Sequence, residues 1–452
     1  MADLPFGFSA GDDDDRDKQS RGSGADPFGF GGGFNPNDLG QLFSQLGQMF
    51  SGTAAAMSSG GGGAVNYDLA RKLATNSVGF VAPVPAGTSS AIADAVHLAD
   101  LWLDGVSALP AGTSTAAAWT PADWIDNTLG TWKRLCDPVA GQMSSMWSSA
   151  LPEEAQAMAG PLMAMMGQMG QMAFGTQLGQ GLGTLSKEVL TSTDIGLPLG
   201  PVGTAALMPA AIEEFSEGLE QPRSEILTFL AAREAAHHRL FAGVPWLAPQ
   251  LLGSVEAYAQ GVTLDMSGIE ELAQNLDPAK LMDPSAMQDL LGQGAFEPKI
   301  TSTQNAALER LETLLALIEG WVQTVVAAAL GDRLPGADAL AETMRRRRAS
   351  GGPAEQTFAT LVGLELRPRK MREATALWQR LTDAVGIDAR DGLWDHPDLL
   401  PDSDDLDEPA RFIDRVIGGD SSGIDAEIAK LQSQLDELGD PGTPSDGATD
   451  PE

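Results

Sequence analysis

Apolar residues recur at three- and four-residue intervals through most of the chain after Val65, a spacing that predicts a mostly helical protein. Helices are expected near residues 66–75, 88–106, 121–135, 153–191, 224–242 and 247–262. A long amphipathic helix follows from Thr303 to Leu330, then shorter ones near 337–349, 353–364 and 369–386. These later helices are expected to close over the earlier ones as a lid or second lobe. Strand-like runs are scarce, and Leu197 to Met208 is the segment best suited to a short sheet. Residues 1 to about 65 are rich in Gly, Ser and Asp, repeat Pro-Phe-Gly-Phe at Pro5–Phe8 and Pro27–Phe30, and read as a disordered arm. Within that arm Leu39, Leu42, Phe43, Leu46, Met49 and Phe50 keep helical spacing, the pattern of a segment that docks on a partner or back on its own domain. The organisation expected is an arm over 1–65, a domain over 66–415 and an acidic flexible tail over 416–452, with one further helical pattern from Ile424 to Leu438. The fold class is mainly α with a small sheet, α+β in kind.

One helix departs from ordinary core patterning. Arg233-Glu234-Ala235-Ala236-His237-His238-Arg239-Leu240-Phe241 lies between a start expected at Ser224 and a stop at Gly243-Val244-Pro245. At about 100° per residue Ile226, Leu230, Glu234, His237 and Phe241 share one stripe, with Arg233 and Leu240 on its flank and His238 towards its edge. Glu-x-x-His is the second half of the zincin pattern His-Glu-x-x-His, in which two histidines one turn apart hold zinc and the glutamate is the general base. It is also half of the di-iron carboxylate signature, which needs a second such pair. Asp94 and His97 are the nearest candidates for that pair, on a helix that otherwise reads as core around Ile92, Val96, Leu98 and Leu101. Arg233 stands where the first zincin histidine would be, and a guanidinium cannot ligate a metal. A standard two-histidine site is therefore excluded.

The run Arg233 to Phe241, together with Leu393-Trp394-Asp395-His396-Pro397-Asp398-Leu399-Leu400-Pro401, resembles the actinobacterial zincin-like metallopeptidase type 2 family over residues 66 to 415. The resemblance implies a zincin-like core and a zinc-dependent metalloprotease, a hydrolase acting on peptides. Its catalytic residues would be Glu234 and Arg233, the latter stabilising a developing oxyanion or plugging the place of the metal. With Arg233 in the place of a histidine, a rearranged zinc site would draw on Glu234, His237 or His238, and Glu256. Glu256 falls about 20 residues after the motif histidine, where glutamate-type zincins supply a third ligand, and it is expected to face inward with Leu252, Val255 and Ala259. Tyr258, two residues on, points elsewhere, and His396 is a surface histidine or lines the cleft. The competing reading is a buried charge network of Arg233, Glu234 and Glu256 with His237 packed against it, in a catalytically inactive scaffold that binds a protein.

Composition narrows the partners. A net charge of −34 and a pI near 4.3 disfavour nucleic acid and anionic membrane surfaces. The first residues have neither a basic n-region nor an apolar h-region, so a cytoplasmic protein is expected. The Met-rich stretch Ala157 to Leu182 is interrupted by glutamines and glycines, and is expected to be a buried helix or helix pair rather than a span. Its Gly175 and Gly179 permit close helix approach, and its methionines offer an alternative cleft lining. The lone Cys136 is expected to be a small buried filler. Arg345 to Arg348, with Arg367, Arg369, Lys370 and Arg372, form the basic concentration of the chain. Such a run pairs with the protein's own acids or, alternatively, binds a carboxylate or acidic peptide.

Overall fold

Asn66 caps the first helix by accepting the Leu69 N–H at 2.9 Å, and from there the chain builds a mostly helical structure. The computed structural model describes residues 64–149, 153–260, 263–264, 298–299, 302–349, 357 and 370–418. All these elements belong to the unit spanning Gly60–Glu452. The Phe-rich arm, the helix expected near 353–364, Arg367, Arg369 and the helix expected from Ile424 lie outside the described residues.

Helix α1 (Tyr67–Val78) leads to α2 (Ala86–Leu103), strand β1 (Thr115–Ala118), α3 (Pro121–Ser149) and α4 (Glu153–Glu188). The Met-rich stretch thus lies within one helix. Gly179 of α4 lets it press on α1, where an added Cβ would lie 2.7 Å from the Ala70 carbonyl oxygen, so the expected close approach is realised. Cys136 is buried in the core and burial pushes its thiol up to about 12, as suits an inert filler. Strand β2 (Thr204–Leu207) falls within the segment expected to hold a sheet, and it pairs in parallel with β1, Thr115 opposite Thr204 and Ala118 opposite Leu207. A parallel pair needs a crossover, which α3 and α4 supply.

The short α5 (Pro209–Ser216) precedes α6 (Arg223–Gly243), the motif helix, and α7 (Leu247–Gln260). Helix α6 begins one residue before Ser224. Its N-cap is Pro222 at φ −56°, with no side-chain cap bond, so the fixed proline angle and not a hydroxyl sets the start. Two-residue strands β3 (Thr263–Leu264) and β4 (Pro298–Lys299) pair antiparallel before α8 (Ser302–Leu330), α9 (Ala337–Ala349) and α10 (Met371–Gly392, bent at Gly386). Two 3-10 turns and the short helices α11 (Ser403–Asp407) and α12 (Pro409–Gly418) are the last of the described elements.

Helix α8 is not part of a separate lid. It packs against α6, α7 and α10 as the central apolar rod of the core. Ala306–Leu330 is long and apolar enough to cross a membrane, but 78% of its apolar window is buried inside the protein, which explains its composition without a bilayer. Trp378 of α10 donates to the Leu317 carbonyl of α8 at 2.9 Å and stacks on Trp394.

The two ends of the fold are latched together by Asp391. Its carboxylate accepts from the Ala108 N–H at 2.7 Å, Ser107 Oγ at 3.1 Å, Trp321 Nε1 at 2.7 Å and Arg390 Nε at 2.7 Å. Arg390 in turn donates to the Val106 carbonyl at 2.8 Å. A buried carboxylate with donors from four residues avoids the penalty of an unpaired charge.

Candidate functional site

Helix α6 runs through the centre of the protein, and every residue from Phe229 to Leu240 is buried. The single inward stripe expected from periodicity is therefore too narrow. Each ionisable side chain of the motif is buried and paired, as buried charge requires, in three groups that face different parts of the fold.

Arg239, on one side, donates from Nε to Asp100 at 3.0 Å, from Nη2 to Asp104 at 2.6 Å and from Nη1 to the Leu109 carbonyl at 2.9 Å, fixing the end of α2. The loop after that helix crosses α6 so closely that a Cβ on Gly112 would overlap the His238 carbonyl.

Glu234 faces β2 and the loop after α4. Its carboxylate accepts from Ser192 Oγ, from Thr193 Oγ1 at 2.5 Å, and from the Thr193 and Ala206 N–H groups at 3.3 Å. His238 Nε2 lies 3.2 Å from the same carboxylate. Burial alone would raise the carboxyl's pKa, but the bonds from His238, Ser192 and Thr193 outweigh it and hold it down at about 2. His238 is 6% exposed, so its place towards the edge of the stripe does not bring it to the surface.

On the remaining side, Arg233 and His237 meet Glu319 of α8. Arg233 Nη2 donates to Oε2 at 2.8 Å, His237 Nε2 lies 3.0 Å from Oε1, and Arg348 Nη1 of α9 forms an ion pair with Oε1 at 2.6 Å. Burial would raise the Glu319 carboxyl, yet Arg348, His237 and Arg233 hold it well below the carboxylate range. Arg233 is itself lowered by burial, against the opposing attraction of Glu319.

The carboxylate expected from the second helix is not here. Glu256 stands on the exposed side of α7, whose buried face is set by Leu251, Val255 and Tyr258. Its spacing after His237 fits a ligand, but its direction does not. Glu319 meets His237 in its place. It carried a legible signal, a lone acid inside Leu314-Leu315-Ala316-Leu317-Ile318-Glu319-Gly320-Trp321 that needs a buried cation. The basic run of α9 pairs with the protein's own acids as expected. Arg345 and Arg346 hold Glu342, Arg347 holds Asp194 and Arg348 holds Glu319. His396 is exposed, its ring accepting the Asp398 N–H at 3.2 Å, and the groove beside it is lined by Pro397 and Leu400 instead. Asp94 and His97 are both exposed, which removes the second pair that di-iron chemistry needs.

The motif, its helical setting and the short sheet beside it bear on ancestry. Residues 65–413 match the model of a zincin-like metallopeptidase family. The chain belongs to that family. A Chloroflexus aurantiacus protein, described as a "putative hydrolase with a novel fold", shares the fold at a TM-score of 0.53 and 19% identity, over 78% of this chain and 98% of that one. No curated protein matches.

The residues of this zincin-like protein do not fit a zinc ion. Three or four converging donors are needed, and among the described residues no group of three or more His, Cys, Asp or Glu is placed to hold a metal. His237 Nδ1 must donate to the Arg233 carbonyl at 2.8 Å, which leaves Nε2 as the ligating nitrogen. That nitrogen faces a carboxylate whose two oxygens already bind two guanidinium groups. A dication would have to sit beside both positive charges.

Proposed function

We propose that this zincin-like protein works by binding rather than by zinc-activated hydrolysis, and that Arg233, Glu234, His237 and His238 form a structural network. The observation that carries this reading is Glu319, which takes both the motif arginine and the motif histidine as partners. Glu234, the general base of an active zincin, is spent on Ser192, Thr193 and the Ala206 N–H, all within the core. A water to be activated would have to displace those donors. The hydrolase reading is favoured by family membership.

Elemental mass spectrometry on untagged wild type and His237→Ala, beside a peptide-hydrolysis screen of wild type and Glu234→Gln, separates the two. The expected result is no stoichiometric zinc, no peptide turnover and a lower Tm in both variants. Near-stoichiometric zinc lost with His237, or turnover abolished in Glu234→Gln, would restore the hydrolase.

A further inference from the structure

We infer that the pocket between α6, α8 and α9 is a binding site for a small amphipathic carboxylate. Its volume is about 200 Å³, and its lining joins cations from two helices, Arg233 of α6 with Arg345 and Arg348 of α9, to the apolar side chains of Phe229, Val326 and Met344. This inference deepens the binding reading above and rests on it.

Charge and hydrogen bonding point to an anion. Three guanidinium groups line the pocket against two carboxylates, Glu319 and the exposed Asp338, in a protein whose net charge is −34. Both Glu319 oxygens are already engaged, and Arg348 and Arg233 converge on that one acid, leaving an excess of one positive charge at the pocket's buried end. Among the described residues Arg233 commits only Nη2, so donors remain on a guanidinium that is itself about nine-tenths buried and lines the cavity. A buried cation with spare donors binds a carboxylate far better than a neutral group of the same shape. The Nε of Arg348 is sealed from water with no partner, a further sign that this cluster holds more donors than acceptors.

Shape selects the rest of the ligand. Phe229, Val326 and Met344 are almost wholly buried and offer an apolar wall, with the Gln323 and Gln379 amides alongside. The volume suits a short aliphatic acid or one terminal residue of a peptide, and both present the same chemistry of a carboxylate on an apolar stem. A phosphate or sulfate would satisfy the cations but leave the apolar wall empty.

The test is isothermal titration of the full chain with hexanoate, hexanamide and inorganic phosphate. Hexanoate is expected to bind saturably and at least about tenfold more tightly than hexanamide or phosphate, the factor a charge-assisted bond commonly supplies. Arg348→Gln should weaken hexanoate about tenfold and Arg345→Gln by less, because Arg345 also holds Glu342. Should Arg348→Gln fail to fold, Ala341→Trp fills the same cavity without touching a charge and should abolish binding. A short peptide with a free C-terminus competing with hexanoate, while its amidated form does not, would make the terminal residue of a peptide the source. Failure of hexanoate to bind the wild type, or equal binding of hexanamide, overturns the assignment. Because neither arm reads zinc or turnover, that failure is distinct from failure of the binding reading.

Discussion

Replacing Glu319 by Gln tests whether the motif is a network held by one acid. The carboxylate takes Arg233 at 2.8 Å, Arg348 at 2.6 Å and His237 at 3.0 Å, with its side chain 4% exposed. Glutamine keeps the shape and one acceptor but turns an NH₂ towards a cation, so the buried Arg233 and the partly buried Arg348 share one neutral oxygen. Breaking a buried ion pair by removing one partner costs about 3–5 kcal/mol, and we take about 4 kcal/mol here. In a protein of this size a Tm shift near 2 °C per kcal/mol is expected, hence a fall of about 8 °C. Urea unfolding followed by far-UV circular dichroism should show a lower midpoint with the slope unchanged. A loss below about 1 kcal/mol, the level of an ordinary surface change, would mean the three contacts do not hold the core together and would refute the reasoning.

Three further outcomes follow from the same geometry. Glu234, lowered to about 2 from 4.5 by its donors, contributes stability that is fully present above pH 4.5 and lost as pH falls towards 2. The amount is about 3 kcal/mol, so acid titration of Glu234→Gln should show a flatter decline over that window, and an unchanged pH profile would count against an ionised Glu234. Gly112→Ala should cost about 1–3 kcal/mol by thermal melting, because the new Cβ overlaps the His238 carbonyl on the backbone of α6. Glu256→Gln, on the exposed side of α7, should stay within about 0.5 kcal/mol of wild type, and a large loss of stability or metal content would return Glu256 to the site.

Helix positions were legible because apolar periodicity is a local property, and α3, α8 and α9 begin within a residue of where the pattern puts them. Direction was harder. Helix α6 is surrounded on all sides, so no face is markedly more apolar than another and a stripe drawn through it underestimates its burial. On α7 the residues Leu251, Val255 and Tyr258 define the buried face; Glu256 lies about 100° past Val255 and turns outward. Strand β1 is Thr-Ala-Ala-Ala, whose three alanines give it little strand propensity, and it is held by pairing with β2 beside it. The partners of the motif come from sequence positions as distant as Asp100 and Arg348, and only tertiary packing could assign them. The acid inside the apolar run Leu314–Trp321 of α8 is the exception, for burial of Glu319 forces the search for a cation.

The Asp391 latch has a consequence for how the chain is made. Ser107 and the carboxylate that receives it are separated by 284 positions. At about 5–20 residues per second, the loop after α2 emerges from the ribosome roughly 15–60 s before its partner exists. Until then the Ala108 N–H, the Ser107 hydroxyl and, once it is made, the Trp321 N–H have no common acceptor, so the loop and α10 lock together late. A contact of such long sequence separation places this closure late in the making of the chain, and nascent chains ending before residue 391 lack the acceptor that joins the loop to α10.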